Sequence, residues 1–407
     1  MKVNVEQLST DAAERLEDAC VVDGLARHLP EAVLPEPSAW GTTEPGRSLA
    51  ERWHTIWETY RTDLSTLRDR LSGKASHLAQ TAADYARTEI EVTAPIASLD
   101  EDGPGPATDA YLVTPGGDGF TPDYRNGRTA GNVVAQLTPQ PHASSPGRAD
   151  LEGFTIDNLT LLEEAELLLK RHYGDDLGFR QPTGYLWDLT STDPQEIASR
   201  IELTAVATSQ LEAIRDRLDA HMASLPEHWE SDAAVAYLDF TDDSRTQVSA
   251  LGGSLADARE KGLAAAELLD DLLARSVRSA TSPRADGQSH IQRIRQAVER
   301  IQDMDADIRS YDSRAGWETV DPGADQELLD IAYRGLWQRA RGLAHTWSQC
   351  VDEANDDAGA IWMGDVSPRV TSPPATEPGS DTPGPRLDMV PDTEKENTHS
   401  TDPLHYE

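Results

Sequence analysis

Apolar residues return along this chain at alternating steps of four and three, the spacing that puts them on one face of an α-helix. Val5, Leu8, Ala12, Leu16, Ala19 and Ala26 mark a first helix over residues 5–29, with Pro30 expected to end it. A turn-rich connector, PEPSAWGTTEPG (35–46), follows. Ser48 and Glu51 have the spacing of a capping box. The strongest pattern in the sequence comes next: Leu49, Trp53, Ile56, Tyr60, Leu64, Leu67, Leu71, Ala75, Leu78, Ala82 and Tyr85. This heptad-like seam predicts a helix over about 47–91, ~65 Å long at 1.5 Å per residue. The short connector predicts that the two helices fold back as an antiparallel hairpin.

The pattern breaks over 93–153, where DEDGPGP, TPGGDG and PQPHASSPG supply Gly and Pro and few apolar residues; this reads as a long loop. A short helix is expected over about 157–173. Asp193, Pro194 and Glu196 form a helix start. The stripe Ile197, Ile201, Thr208, Leu211, Ile214, Leu218, Met222, Leu225 follows, with Pro226 expected to stop it. Ser231 is placed to cap a helix over 232–278, and two more helices are predicted near 287–311 and 323–361. Eight prolines and the lack of Trp or Phe from Asp365 onward predict a disordered tail. The expected fold is all-α: an elongated bundle of antiparallel helical hairpins with a long Gly/Pro loop. Its segments are a hairpin (1–92), a linker (93–153), a second helical domain (154–363) and the tail (364–407).

Charge narrows the partners. The 72 acidic residues against 36 basic ones give a net charge of −36, which repels phosphate backbones and anionic lipid, so nucleic-acid binding is disfavoured. Only five basic residues are Lys, a usage that fits a GC-rich actinomycete or a halophilic archaeon. Cys20 and Cys350 stand far apart without a CxxC, so neither a disulfide framework nor a zinc site is implied. The first twenty residues lack a continuous apolar segment of the secretory type, and no stretch has the length of apolar sequence that a membrane span needs.

No catalytic or metal constellation assembles. Asp303, Asp305 and Asp307 imitate the start of a calcium loop, but Ile308 stands where Gly is required and Arg314 where Glu is required. These aspartates, like the Asp239–Asp243 cluster, read as solvated helix surface. PGGDG (115–119) lacks the Gly-Lys-Ser/Thr ending of a phosphate loop, and the histidines show no HExxH spacing. LWQRARGLAHTW reads as an amphipathic core face. No cofactor is implied.

Two short motifs carry a resemblance. The hairpin over residues 5–92, with its Ala39-Trp40-Gly41 turn and the terminal pair Tyr85 and Glu89, resembles the type VII (ESX) secretion substrates of the EspC and PE type. In that family a Tyr-x-x-x-Asp/Glu motif closing the second helix is the secretion signal. Residues 194–278 resemble a WXG/PPE-type hairpin, in which a Trp-x-Gly turn joins two antiparallel helices. Here the turn is Trp229-Glu230-Ser231-Asp232-Ala233-Ala234, with Ser231 in place of Gly. Serine can cap the following helix but loses glycine's permissive φ.

The resemblance covers about two thirds of the chain. It implies that the hairpins dock as a four-helix bundle, with Trp229 beside Tyr85 and Glu89 as a composite signal. It also implies a non-enzymatic protein recognised by a type VII secretion ATPase and channel and delivered to the outside or the cell surface without a cleaved leader. After export it would self-assemble as a homo-oligomer or act as carrier for a co-secreted toxin; a cytosolic helical scaffold is the reading from another class. For self-assembly, the helix near 323–361, with Trp337 and Trp347, is the expected source of an uncovered apolar patch.

Overall fold

The computed structural model describes residues 3–97, 135–139, 143–314 and 322–362. Among them the fold is all-α. The helices are α1 (Val5–Val33), α2 (Glu44–Ala97), α3 (Pro146–Tyr173), α4 (Pro182–Thr190), α5 (Pro194–Glu202), α6 (Thr204–His228), α7 (Asp232–Thr281), α8 (His290–Arg314) and α9 (Pro322–Ile361). The tail and most of the predicted linker lie outside the described residues.

The α1–α2 hairpin packs as the spacing predicts. Leu49, Trp53, Tyr60, Leu64, Leu67, Leu71, Ala75, Leu78 and Ala82 are all buried, while Ile56 is half-buried and Trp57 takes the inward position beside it. In α1 the seam is Leu8, Ala12, Arg15, Ala19, Val22, Ala26, Leu29 and Val33, an unbroken four–three alternation in which the buried inward residue is Arg15 and Leu16 is only half-buried. Between the helices, Gly41 adopts φ +75°, and a Cβ there would overlap the Thr192 hydroxyl. The turn is held from outside. Asp193 N–H donates to the Ala39 carbonyl at 2.7 Å, Thr42 Oγ1 donates to Asp188 Oδ1 at 2.6 Å, and Trp40 and Thr192 form an isolated antiparallel bridge.

Helix α7 connects the parts. It packs on α6, α3, α9, α5, α2 and α8. At the α2–α7 crossing, a Cβ on Gly262 would come within 2.9 Å of both Trp53 and Ile201, so the indole sits on bare backbone. Trp53 is fully buried, donates Nε1–H to the Val33 carbonyl at 3.0 Å and meets Trp57 edge-on at 5.7 Å. Across the hairpins, Tyr60 Oη donates to the Ser254 carbonyl at 2.7 Å.

Several boundaries differ from expectation. Pro30 and Pro226 lie inside α1 and α6, each within the last turn. A proline there forfeits one N–H, and the turn closes behind it, through Leu34 N–H to the Pro30 carbonyl and Trp229 N–H to the Leu225 carbonyl. Helix α2 begins at Glu44, so Ser48 is interior and Thr43 accepts the first turn's bond from Arg47 N–H at 3.0 Å. The expected single helix from 194 is two, α5 and α6, broken at Leu203.

The expected short helix near 157–173 begins at Pro146, inside the stretch read as linker. Its cap comes from another helix: the Asp270 carboxylate of α7 accepts from Ser145 Oγ at 2.5 Å and from Arg148 N–H at 3.2 Å. Trp337 and Trp347 are not an uncovered patch. Trp347 is buried with Nε1–H bonded to the Ser276 carbonyl at 2.9 Å, and Trp337 donates to the Leu177 carbonyl at 3.2 Å. Among the described side chains of α9, the large apolar ones that are exposed are Leu328 and Ile331, each about half exposed (48% and 49%).

Candidate functional site at the Tyr85–Trp229 end of the bundle

The core has two parts. A large apolar cluster fills most of the described fold, and a smaller one lies at the end where α6 passes into α7. The smaller cluster consists of Leu8, Ala12, Leu78, Ala82, Leu225, Trp229, Ala234 and Tyr237, with Val3, Val5, Ala79, Tyr85 and Leu238 packed against it. Tyr85 and Trp229 therefore meet in one cluster, although they belong to different hairpins. Glu89 follows Tyr85 by one turn of α2; its side chain lies outside the described residues.

Each motif residue has a distinct part. Trp229 is the C-cap of α6, in extended backbone (φ −140°), with its ring buried and tilted 43° against Tyr237 at 5.9 Å. Its role at this end is packing. Tyr85 is half-buried. Ser231 caps α7, its Oγ accepting from Ala234 N–H at 3.2 Å. Its φ of −165° is extended backbone open to any residue, so this turn does not need the glycine that the resemblance would place here. Around the rim, Asp84, Arg87, Glu230, Asp232 and Val235 are exposed, Val235 at 59%.

The sequence reading missed a third strand of contact. Asn4 N–H donates to the His228 carbonyl at 2.9 Å, and Val3 bridges Trp229 in antiparallel fashion. The residues leading into α1 thus lie across the Trp turn. Asn4 also caps α1, accepting from Gln7 N–H at 3.2 Å. A residue ready to cap at position 4 was the one available signal.

Between the two apolar clusters lies a buried polar layer. Arg15 and Asp18, both inaccessible, pair at 2.8 Å, and Arg217 reaches Asp18 from α6 at 2.5 Å. Burial pushes the Asp18 carboxyl up against the pull of Arg15 and Arg217. His221 Nδ1 stands 3.5 Å from Asp11 Oδ2, and the ring meets Tyr237 edge-on at 5.7 Å. At Asp11, burial pushes the carboxyl up, but its neighbours His221, Gln7 and Arg15 together outweigh it and leave the carboxyl below its usual range. Arg70 pairs with Asp243, which also accepts from Gln247 Nε2 at 3.2 Å; Asp243 is therefore a partner of the interior, not solvated surface alone. Lys74 is fully buried.

In the Asp11–His221 pair, 3.5 Å apart, neither Asp11 Oδ2 nor His221 Nδ1 makes a hydrogen bond among the described residues. No hydroxyl or thiol bonds to His221 Nε2, and the ring is closed to solvent. Burial raises the thiols of Cys20 and Cys350, which makes them poor nucleophiles. Among the described residues no group of three or more His, Cys, Asp or Glu is placed to hold a metal ion, and no helix is long and apolar enough to cross a membrane. Comparison with family models, with curated proteins and with solved structures gave no match.

Proposed function

We propose that this chain is a non-enzymatic substrate of a type VII secretion system, exported as a folded helical bundle, whose recognition end is built from Tyr85, Glu89, Trp229 and Ser231. The supporting observation is that the partly buried Tyr85 packs against the apolar cluster that holds the buried Trp229 of the other hairpin. A motor that reads a folded substrate needs such a surface: a side chain presented to solvent on a frame that exists only when both hairpins are docked. Trp229 supplies the frame and Tyr85 the presented group. At the rim Asp84 is paired with Arg87, and the exposed Glu230 and Asp232 offer charge for a basic receptor surface.

A secretion assay tests this in a host with and without the secretion ATPase. Tyr85→Ala is expected to abolish export with little change in thermal stability, since the ring is only partly buried. Trp229→Ala is expected to lower both export and stability, the latter by about 3 kcal/mol. Undiminished export of a folded Tyr85→Ala protein would overturn the reading.

A further inference from the structure

Lys74 is one of the five lysines in this chain, and it is buried to zero accessibility at the joint between the two apolar clusters. In sequence it stands on the α2 seam, three residues after Leu71 and four before Leu78. Its Nζ has no hydrogen-bond partner among the described residues and lies 4.8 Å from the Phe240 ring centroid and 5.9 Å from that of Tyr237. A buried ammonium without an acceptor is costly, and the usual resolution is loss of the proton. Burial, then the positive charges of Arg15 and Arg70, hold this amine well below the usual lysine range; Asp243 and Asp18 pull the other way with less effect. Both arginines are themselves ion-paired, Arg15 with Asp18 and Arg70 with Asp243. Arg15 Nε, fully buried, is also without a hydrogen-bond acceptor.

We propose that Lys74 is a site of reversible carbamylation by carbon dioxide, its carbamate accepting from Arg15 within the polar layer between α1, α2, α6 and α7. The neutral amine supplies the electron pair that forms the N–C bond. One C–O π bond of carbon dioxide breaks to leave a carboxylate, and the amine's surplus proton passes to solvent. The product supplies acceptors for the unpartnered Arg15 Nε–H and sets its negative charge in the layer that holds Arg15 and Arg70. A charged guanidinium–carboxylate contact is among the stronger hydrogen bonds. Carbon dioxide is neutral and small, so it reaches an interior that hydrated ions do not. Formation releases a proton, so it gains as pH rises. The other charged or titratable groups facing the layer are Asp11, Asp18, Arg15 and Arg70 from the first hairpin and Arg217, His221, Tyr237 and Asp243 from the second.

The test uses the full chain in ¹³C-labelled bicarbonate at pH 8, observed by carbon NMR beside Lys74→Met. Lys2, Lys170, Lys261, Lys395 and the terminal amine are common to both proteins, so their signals cancel in the comparison. The expected result is one additional carbamate resonance in the wild type. A rise in melting temperature with bicarbonate over matched chloride is also expected in the wild type alone. Rapid alkylation of the wild type followed by peptide mapping needs no variant and should place the trapped ester on Lys74. Identical spectra, or trapped label on every lysine peptide except that of Lys74, would overturn the proposal.

Discussion

His290 begins α8, buried, with Nε2 3.4 Å from Thr346 Oγ1. Burial, helped by Arg284 and Arg293, lowers its pKa to about 4. The fold therefore requires the neutral ring, and the unfolded chain takes up a proton first as pH falls. The stabilisation is complete above the ordinary value near 6.5 and is lost as pH descends towards 4. Between pH 7 and pH 5 this one residue should cost roughly 2 kcal/mol. Urea unfolding at the two pH values checks it: His290→Gln should show a smaller loss than the wild type by about that amount. The neighbouring Ser289 and Gln292 form a reciprocal capping box, Gln292 N–H to Ser289 Oγ at 3.2 Å and Ser289 N–H to Gln292 Oε1 at 2.9 Å. That signal, a Ser and a Gln three residues apart, stands openly in the sequence at the start of α8.

At the scale of elements, caps decide where helices begin. Ser231→Ala should destabilise the protein by about 1 kcal/mol and Ser231→Gly by only a few tenths, measured by chemical denaturation. Glycine should bring no gain, because the turn's φ is not in the left-handed region. What could be read locally was read: the α2 and α7 seams, and the caps at Asp193 and Ser231, where the donor and acceptor lie three residues apart. What could not be read depends on distant residues. The start of α3 is capped by Asp270, and the AWG turn is fixed by residues 188–193. The charged layer fell between the two cases. Arg15 and Lys74 sit at seam positions in plain view, but a rule that counts only apolar residues passes over them and selects Leu16 instead.

For the whole molecule, charge and uncovered apolar surface act in opposite directions. The net charge of −36 holds copies apart, while Ile156, Leu167, Leu328 and Ile331 are exposed at 48–83%. Association is therefore expected to strengthen as salt shortens the range of repulsion. Sedimentation in 50 mM and 500 mM salt, roughly 14 Å and 4 Å of screening length, checks this. Unchanged monomer in both would argue against self-assembly and favour the carrier reading.

The bridge from Val3 to Trp229 also sets an order of events during synthesis. The beginning of the chain finds its partner only after more than two hundred further residues have been made. At ~5–20 residues per second, Val3 waits roughly 10–45 s before Trp229 is made and the end can close. Until then Leu8, Leu78 and Tyr85 lack the side chains of α6 and α7 that cover them. A receptor that reads the closed end would therefore pass over any chain whose α6 and α7 are not yet made and docked, so the surface reports that the two hairpins have come together.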